Sequence, residues 1–311
     1  MQTGTRPPLI ILLGPTAVGK TEISLHLAER LDGEIVSADS RLLYRGMDIG
    51  TAKPTPAEQA RVPHHLINVA EPDQIWSLAL YQREARRTIA AIHERGRLPF
   101  LVGGTGQYVR AVKEEWDIPP AAPHPLLRSI LEQWAGKVGQ EGLHARLAML
   151  DPQAANQIDP RNLRRTMRAL EVIFLTGKLF SEQRQRGESP YRTLQIGLVR
   201  PRSELYERVD ARIEAMLAAG LVDEVRELLA QGYSPDLPTL SAIGYREIIA
   251  YLKGSITLDE AVTLIKRATR VFVRRQANWF KVNDPGIHWF EVSKQSVDEI
   301  EALIRDWLSN Q

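Results

Sequence analysis

The chain has 311 residues, room for one large domain or two ordinary ones, and its 43% hydrophobic and 25% charged residues are the balance of a globular protein. Cysteine is absent, which excludes disulfides and thiolate metal sites. No apolar run reaches the roughly 18 residues of a membrane span, and residues 1–13 lack the pattern of a signal peptide, so a cytoplasmic protein with no membrane association is expected.

Leu9-Ile10-Ile11-Leu12-Leu13 is an unbroken apolar run, as expected of a strand buried on both faces. It leads into Gly14-Pro15-Thr16-Ala17-Val18-Gly19-Lys20-Thr21, which fits G-x-x-x-x-G-K-[ST]. Glu22 to Leu31 follows as an amphipathic helix with Ile23, Leu27 and Leu31 on one face. Strand, glycine loop and helix in this order are the context of a phosphate-binding loop. Backbone N–H groups and the helix N-terminus would surround phosphate oxygens. Lys20 would bond the terminal phosphates, and the Thr21 hydroxyl would hold Mg²⁺.

A second strand is predicted over Glu34 to Ala38, ending at Asp39, then a helix over Ser77 to Arg95. Leu98 to Val102 is another strand, stopped by Gly103-Gly104 and followed by a helix at Gln107 to Val112. Residues 118–125 carry four prolines, a linker signal. From Leu126 to about Arg186 the pattern is helical; Gln195 to Val199 returns to strand. Helices are expected near 203–219, 221–231 and 257–281, a late strand at Ile287 to Val292 and a last helix at 296–308. The fold class is α/β: a P-loop NTPase-like, doubly wound parallel sheet from residues 1–118 and 191–311, with a helical insertion domain at 119–190. Ligands then bind beyond the carboxyl ends of the strands, where the phosphate loop, Asp39 and Gly103-Gly104-Thr105-Gly106 should converge.

Asp39 suits a general base or a metal ligand, but Asp39-Ser40 also starts a turn well. The glycines after Val102 either let backbone approach a ligand, the reading favoured here, or only permit a tight turn. Arg208 and Arg212, at i and i+4, share a helix face and either clamp phosphate charge or pair with Glu204 and Glu207. Seven basic residues lie between Arg161 and Arg186 (Arg161, Arg164, Arg165, Arg168, Lys178, Arg184, Arg186), and Arg267, Arg270 and Arg274 share a face of a later helix. Basic helices beside a phosphate site point to nucleic acid in the substrate. His64-His65 shows no metal spacing, since strand neighbours point opposite ways.

Taken together, these residues resemble the tRNA dimethylallyltransferases, also called tRNA isopentenyltransferases, over nearly the whole chain. The resemblance rests on the phosphate loop, Ser37-Ala38-Asp39-Ser40, Tyr44 through Lys53, Pro63-His64-His65-Leu66, Leu101 through Gly106, Arg168-Ala169-Leu170-Glu171-Val172 with Thr176-Gly177-Lys178, Gly244-Tyr245-Arg246, and Arg274-Arg275-Gln276 with Trp279-Phe280. It implies transfer of a dimethylallyl group from dimethylallyl diphosphate to adenine N6 at position 37 of tRNA. Residues 14–21 would then hold a diphosphate leaving group rather than ATP, with Mg²⁺ at Thr21. Asp39 matches the family's general base, Thr16 and Arg212 match residues at the diphosphate, and Arg208 is a further candidate. The tRNA-contacting positions map onto Asp39, Ser40, Arg41, Leu42, Thr105, Arg128, Arg164, Arg165, Thr166, Met167 and Arg168. The insertion would grip the anticodon stem-loop, and the enzyme would act as a monomer. Gln107, where the family usually has an apolar residue, and Leu163-Arg164 depart from the pattern.

Three other readings remain at this stage. A P-loop small-molecule kinase would use Asp39 as base for a hydroxyl acceptor, but leaves the basic insertion unexplained. An adenylate isopentenyltransferase would need no such RNA-sized surface. An RNA-binding protein without activity would leave Lys20, Thr21 and Asp39 without a role.

Overall fold

The structure, a computed structural model, describes residues 6–116, 118, 124–182 and 187–310. Most of the proline-rich stretch, Pro119 through Pro123, and Arg184 and Arg186 lie outside the described residues. The chain divides into two compact units: Met1–Trp76, Leu80–Lys113 and Ser189–Gln311 form one, and Ser77–Ala79 and Glu114–Glu188 the other.

In the first unit, β1 (Pro8–Leu13), α1 (Lys20–Arg30), β2 (Gly33–Ser37), α2 (Pro56–Arg61), β3 (His64–His65), α3 (Leu78–Glu94, apart from its first two residues), β4 (Leu98–Gly103) and α4 (Gly106–Lys113) come first. The helices α5 (Pro125–Leu150), α6 (Pro152–Asn156) and α7 (Leu163–Thr176) belong to the second unit. The first unit then resumes with β5 (Arg192–Val199), α8 (Arg202–Ala218), α9 (Leu221–Ala230), α10 (Tyr245–Leu252), α11 (Leu258–Gln276), β6 (His288–Glu291) and α12 (Ser296–Ser309).

The six strands form one parallel sheet in the order β3-β2-β4-β1-β5-β6. β1 lies inside it, and Leu9 to Leu13 are wholly buried, which is why their sequence is continuously apolar rather than alternating. The register aligns Leu13 with Gly103 of β4 and Gly197 of β5, and Ser37 of β2 with Val102 of β4. The loops leaving β1, β2 and β4 therefore open along one edge of the sheet, as a doubly wound fold requires.

Two helices, α2 and α10, escape the sequence reading, and β3 enters it only through the strand geometry ascribed to His64-His65. α2 and β3 have six and two residues, too few for a period to show. α11 ends at Gln276, not near Lys281, because Asn278 and Trp279 close i→i+3 bonds onto Arg275 and Gln276 and tighten the last turn. His64 Nδ1 meets the Val62 carbonyl at 2.8 Å and His65 Nε2 the Glu34 carboxylate at 2.6 Å, so both have structural partners.

The second unit packs Leu131, Ala135, Leu143, Leu147, Ala155, Ile158, Met167, Ala169 and Leu170 into its own core. Beside this core lies the wholly buried Glu171. Its carboxylate accepts from the His124 N–H at 2.8 Å, from Arg128 at 3.0 and 3.2 Å, and from Arg168 at 2.8 Å. Burial works against its charge, but the arginine and backbone hydrogen bonds outweigh it and hold its pKa below the usual carboxylate value. A group depressed in this way stabilises the fold above its unfolded pKa and loses that contribution as pH falls. Glu171→Gln is expected to cost about 2 kcal/mol at neutral pH. In thermal melts the wild type should lose this advantage below about pH 4, while the variant's acid sensitivity is smaller.

Candidate active site

The loop between β1 and α1 is shaped by close packing and by cations. A Cβ at Gly14 would sit 2.8 Å from the Leu198 carbonyl oxygen, so β5 leaves room for glycine alone. Ala17 is left-handed at φ 66°, a conformation that disfavours side chains. Four of the loop's carbonyls accept from cationic side chains. Lys20 Nζ donates to Gly14 O at 3.0 Å and Pro15 O at 2.9 Å, Arg208 Nε to Ala17 O at 2.8 Å, and Arg200 Nε to Val18 O at 2.9 Å. α1 begins at Lys20 with Gly19 before it and no side-chain cap. Its first N–H groups therefore keep their capacity for an anion, which the helix dipole favours.

Asp39 follows β2 at the same edge. Its Oδ1 accepts from the Arg41 N–H at 2.9 Å, an Asx turn that fixes the carboxylate; Oδ2 has no hydrogen bond within the protein among the described residues. The turn-forming and chemical readings of Asp39 are thus compatible. Ser40 N–H reaches the Thr105 hydroxyl at 3.4 Å, and Thr105 N–H donates to Ala38 O at 3.2 Å, which stitches the β4 exit to the Asp39 segment.

The charges of Lys20, Asp39 and Arg212 act on one another. Burial lowers the Lys20 pKa to about 8, against the pull of Asp39 and with a further push from Arg212. Arg212 is likewise lowered by burial, opposed by Asp39 and reinforced by Arg208. Tyr81 and Tyr108 stack with ring centroids 3.7 Å apart, and the Tyr81 hydroxyl donates to Ser37 O at 2.9 Å. Burial raises both phenols, with Asp39 adding to the effect, so both stay neutral beside the carboxylate.

Several expected site residues also have partners within the fold. The glycines after β4 are each required by close packing. A Cβ at Gly103 would lie 2.3 Å from Ala38 O, at Gly104 2.4 Å from Gln276 Nε2, and at Gly106 2.4 Å from the Trp279 ring. Of the positions expected to touch RNA, Thr166 and Met167 are 0% and 9% exposed and point into the second unit. Arg128 and Arg168 are committed to Glu171. The Arg41 guanidinium donates to the Pro238 and Thr239 carbonyls. On α11, Arg270 pairs with Asp210 at 2.5 Å and Arg274 meets the Tyr206 hydroxyl at 3.2 Å, so two of that stripe's three arginines serve packing against α8. Arg164 is exposed and Arg165 half-buried, and among the described residues neither has an ion-pair partner. Leu42 and Thr105 are half-buried, and Gln107 is exposed.

Other residues that build the site were not singled out as site residues. Arg200 holds the Val18 carbonyl, and Gln276 accepts from the Thr16 N–H at 2.8 Å. Glu224 gathers the N–H groups of Asp48, Ile49 and Gly50 at 2.6–3.0 Å and the Tyr245 hydroxyl at 2.7 Å. Lys53, its side chain 2% exposed, bonds Tyr44 O, Asp48 and Asn68. The usable signal was polarity on a buried helical face: Gln276 stands there in line with Ala261, Ile265 and Val273.

Among the described residues, no group of three or more His, Cys, Asp or Glu side chains is arranged to hold a metal, and no helix is long and apolar enough to cross a membrane. The Thr21 side chain is exposed directly after Lys20, with no hydrogen-bond partner among the described residues. That suits one ligand of a Mg²⁺ ion otherwise held by a substrate's phosphates and water, as that ion prefers.

Residues 42–283 match the IPP transferase family. The chain is 53% identical over 302 residues to a tRNA dimethylallyltransferase of Roseiflexus sp. (strain RS-1), covering 97% of this chain and 99% of the relative. It also resembles the crystal structure of the full-length tRNA isopentenylpyrophosphate transferase from Bacillus halodurans, with 43% identity, 97% of each chain covered and a TM-score of 0.73. A eukaryotic dimethylallyltransferase acting on tRNA superimposes with a TM-score of 0.83 at 25% identity, over 98% of this chain and 80% of that one. The site geometry and these likenesses agree: the chain belongs to the IPP transferase family, the family of the tRNA dimethylallyltransferases.

Proposed function

We propose that this chain transfers the dimethylallyl group of dimethylallyl diphosphate to N6 of adenine 37 in tRNA, beside the anticodon, releasing diphosphate. The observation that carries the reading is a carboxylate with one free oxygen, Asp39, held within the field of Lys20 and Arg212 at the mouth of a phosphate-binding loop. A base next to an anion site is what this substitution needs.

Adenine N6 is a weak nucleophile because its lone pair is delocalised into the ring. Asp39 takes the N6 proton on its free oxygen as the N6–C1 bond forms. The allylic C1–O bond breaks and leaves its electron pair on diphosphate. The N–H groups where α1 begins, at Gly19, Lys20 and Thr21, together with the Lys20 ammonium and Arg212, stabilise that growing charge, which is where preorganised donors contribute most. Lys20 would leave the Gly14 and Pro15 carbonyls to meet the phosphates. Arg208 serves chiefly by holding Ala17, while Thr16 lies against the substrate. Mg²⁺, with Thr21 as a ligand, would supply further charge neutralisation to the diphosphate.

Adenine must leave its stack to reach Asp39, at a cost of a few kcal/mol. The backbone of the anticodon stem-loop is assigned to the second unit, with Arg164 and Arg165 as its phosphate contacts. We take the enzyme to act as a monomer in the cytoplasm. Incubation with labelled dimethylallyl diphosphate and unmodified tRNA tests the reading. Label in tRNA supports it; label in AMP instead, or phosphate transfer from ATP, selects a different enzyme.

Three measurements address the roles. Asp39→Ala should lower turnover by on the order of 10²–10⁴ while dimethylallyl diphosphate still binds in calorimetry; near-wild-type turnover would remove Asp39 from the mechanism. Because Lys20 titrates at about 8, affinity for dimethylallyl diphosphate should fall as pH rises through that value. Lys20→Arg should bind with little pH dependence there, since a guanidinium stays charged. Charge reversal at both Arg164 and Arg165 should weaken tRNA binding and flatten its salt dependence, as fewer counterions are released, without altering the isoprenoid affinity. An unchanged salt slope would leave these arginines as solvated surface.

A further inference from the structure

We propose that Gln276 is a positioning residue for the prenyl transfer, its one amide fixing the spacing between the phosphate loop and the Asp39 segment. This rests on the functional reading above. Gln276 is the last residue of α11 and 7% exposed. Its Oε1 accepts from Thr16 N–H at 2.8 Å, and its Nε2 donates to Gly104 O at 3.4 Å. These partners are the loop after β1 and the loop after β4. The second loop continues into Thr105, which bonds Ala38 O and the Ser40 N–H on either side of Asp39. A single path of hydrogen bonds therefore runs from the leaving-group site to the base through one side chain.

The chemistry of the pair dictates an amide. A backbone N–H only donates and a carbonyl only accepts, so the bridging group needs an acceptor and a donor in a fixed order. A carboxylate satisfies the first contact alone, and a thioether neither. Gly104 is matched to this arrangement, since a Cβ there would lie 2.4 Å from Gln276 Nε2. α11 does not depend on Gln276 for its place: Lys266 pairs with Glu214 and Arg270 with Asp210, both on α8, while Ala261, Ile265 and Val273 are buried. Losing the amide would thus free the two loops to shift, and a displacement of about 1 Å costs on the order of 10²-fold in rate.

The test compares Gln276→Met, Gln276→Glu and Gly104→Ala with wild type in single-turnover transfer to unmodified tRNA at saturating dimethylallyl diphosphate. Melting temperature and tRNA affinity are measured alongside. Gln276→Met is expected to slow the single-turnover step by on the order of 10²-fold and raise KM for the diphosphate, with tRNA affinity and melting temperature near wild type. Gln276→Glu should fall between. Gly104→Ala should mimic Gln276→Met, yet cost little more when added to Gln276→Ser, because the clash is with the amide. A folded Gln276→Met with wild-type rate and KM, or a lowered melting temperature as its one effect, overturns the role. If Gln276→Met does not fold, Gln276→Glu at wild-type rate, or additive losses in the double variant, overturn it equally. A wild-type protein that leaves tRNA unlabelled overturns the functional reading and this role together.

Discussion

Every feature of the site depends on how the eight residues from Gly14 to Thr21 are held. A loop this tight cannot satisfy its own backbone, and unpaired carbonyls near an anion would repel it. Arg200 and Arg208 hold the Val18 and Ala17 carbonyls by direct hydrogen bonds, Lys20 meets those of Gly14 and Pro15 in the resting loop, and the N–H groups of the α1 start are left for the ligand. Two of the three cations come from the chain beyond β5, so the loop is shaped by residues its own motif does not contain. The backbone dipoles are set in advance, and little reorganisation is needed as charge appears on the leaving group.

This arrangement gives the cations separate duties. Arg208 and Arg200 have carbonyl partners, which suits them to hold the frame. Lys20 occupies the same kind of position but carries a depressed pKa, the result of a buried ammonium with incomplete compensation. A doubly charged phosphate group would provide that compensation. Asp39 is divided in a similar way, one oxygen holding the turn and the other available for chemistry.

The sheet was legible because buried parallel strands write themselves as apolar runs, and Leu9–Leu13 and Leu98–Val102 are such runs. The phosphate loop and Asp39 were legible from motif and strand end together. The bracing residues were not, because nothing local marks a partner 260 positions away; Gln276 reads as one polar residue in an amphipathic helix. The basic clusters pointed to a nucleic-acid substrate, in agreement with the tRNA-modifying relatives, but not to which arginines are tied within the fold. Sequence records charge but not its partner, and Arg128, Arg168, Arg270 and Arg274 prove to be engaged inside the fold. The buried carboxylate of Glu171 could not be told from a surface acid until α5 and α7 were brought together.

The distance along the chain between the phosphate loop and its braces has a consequence for synthesis. β1 needs β5 beside it, Ala17 needs Arg208, and Thr16 needs Gln276, 260 residues further on. At ribosomal speeds of roughly 5–20 residues per second, that separation is about 13–50 s. Through this interval the nascent chain carries the complete phosphate-loop motif without the contacts that shape it. Leu9 to Leu13 meanwhile have an open edge where β5 will later lie, the kind of exposed strand that invites wrong pairing. The segment that carries the loop is thus made long before it becomes competent, and a chain truncated anywhere before α11 would carry the motif without the site.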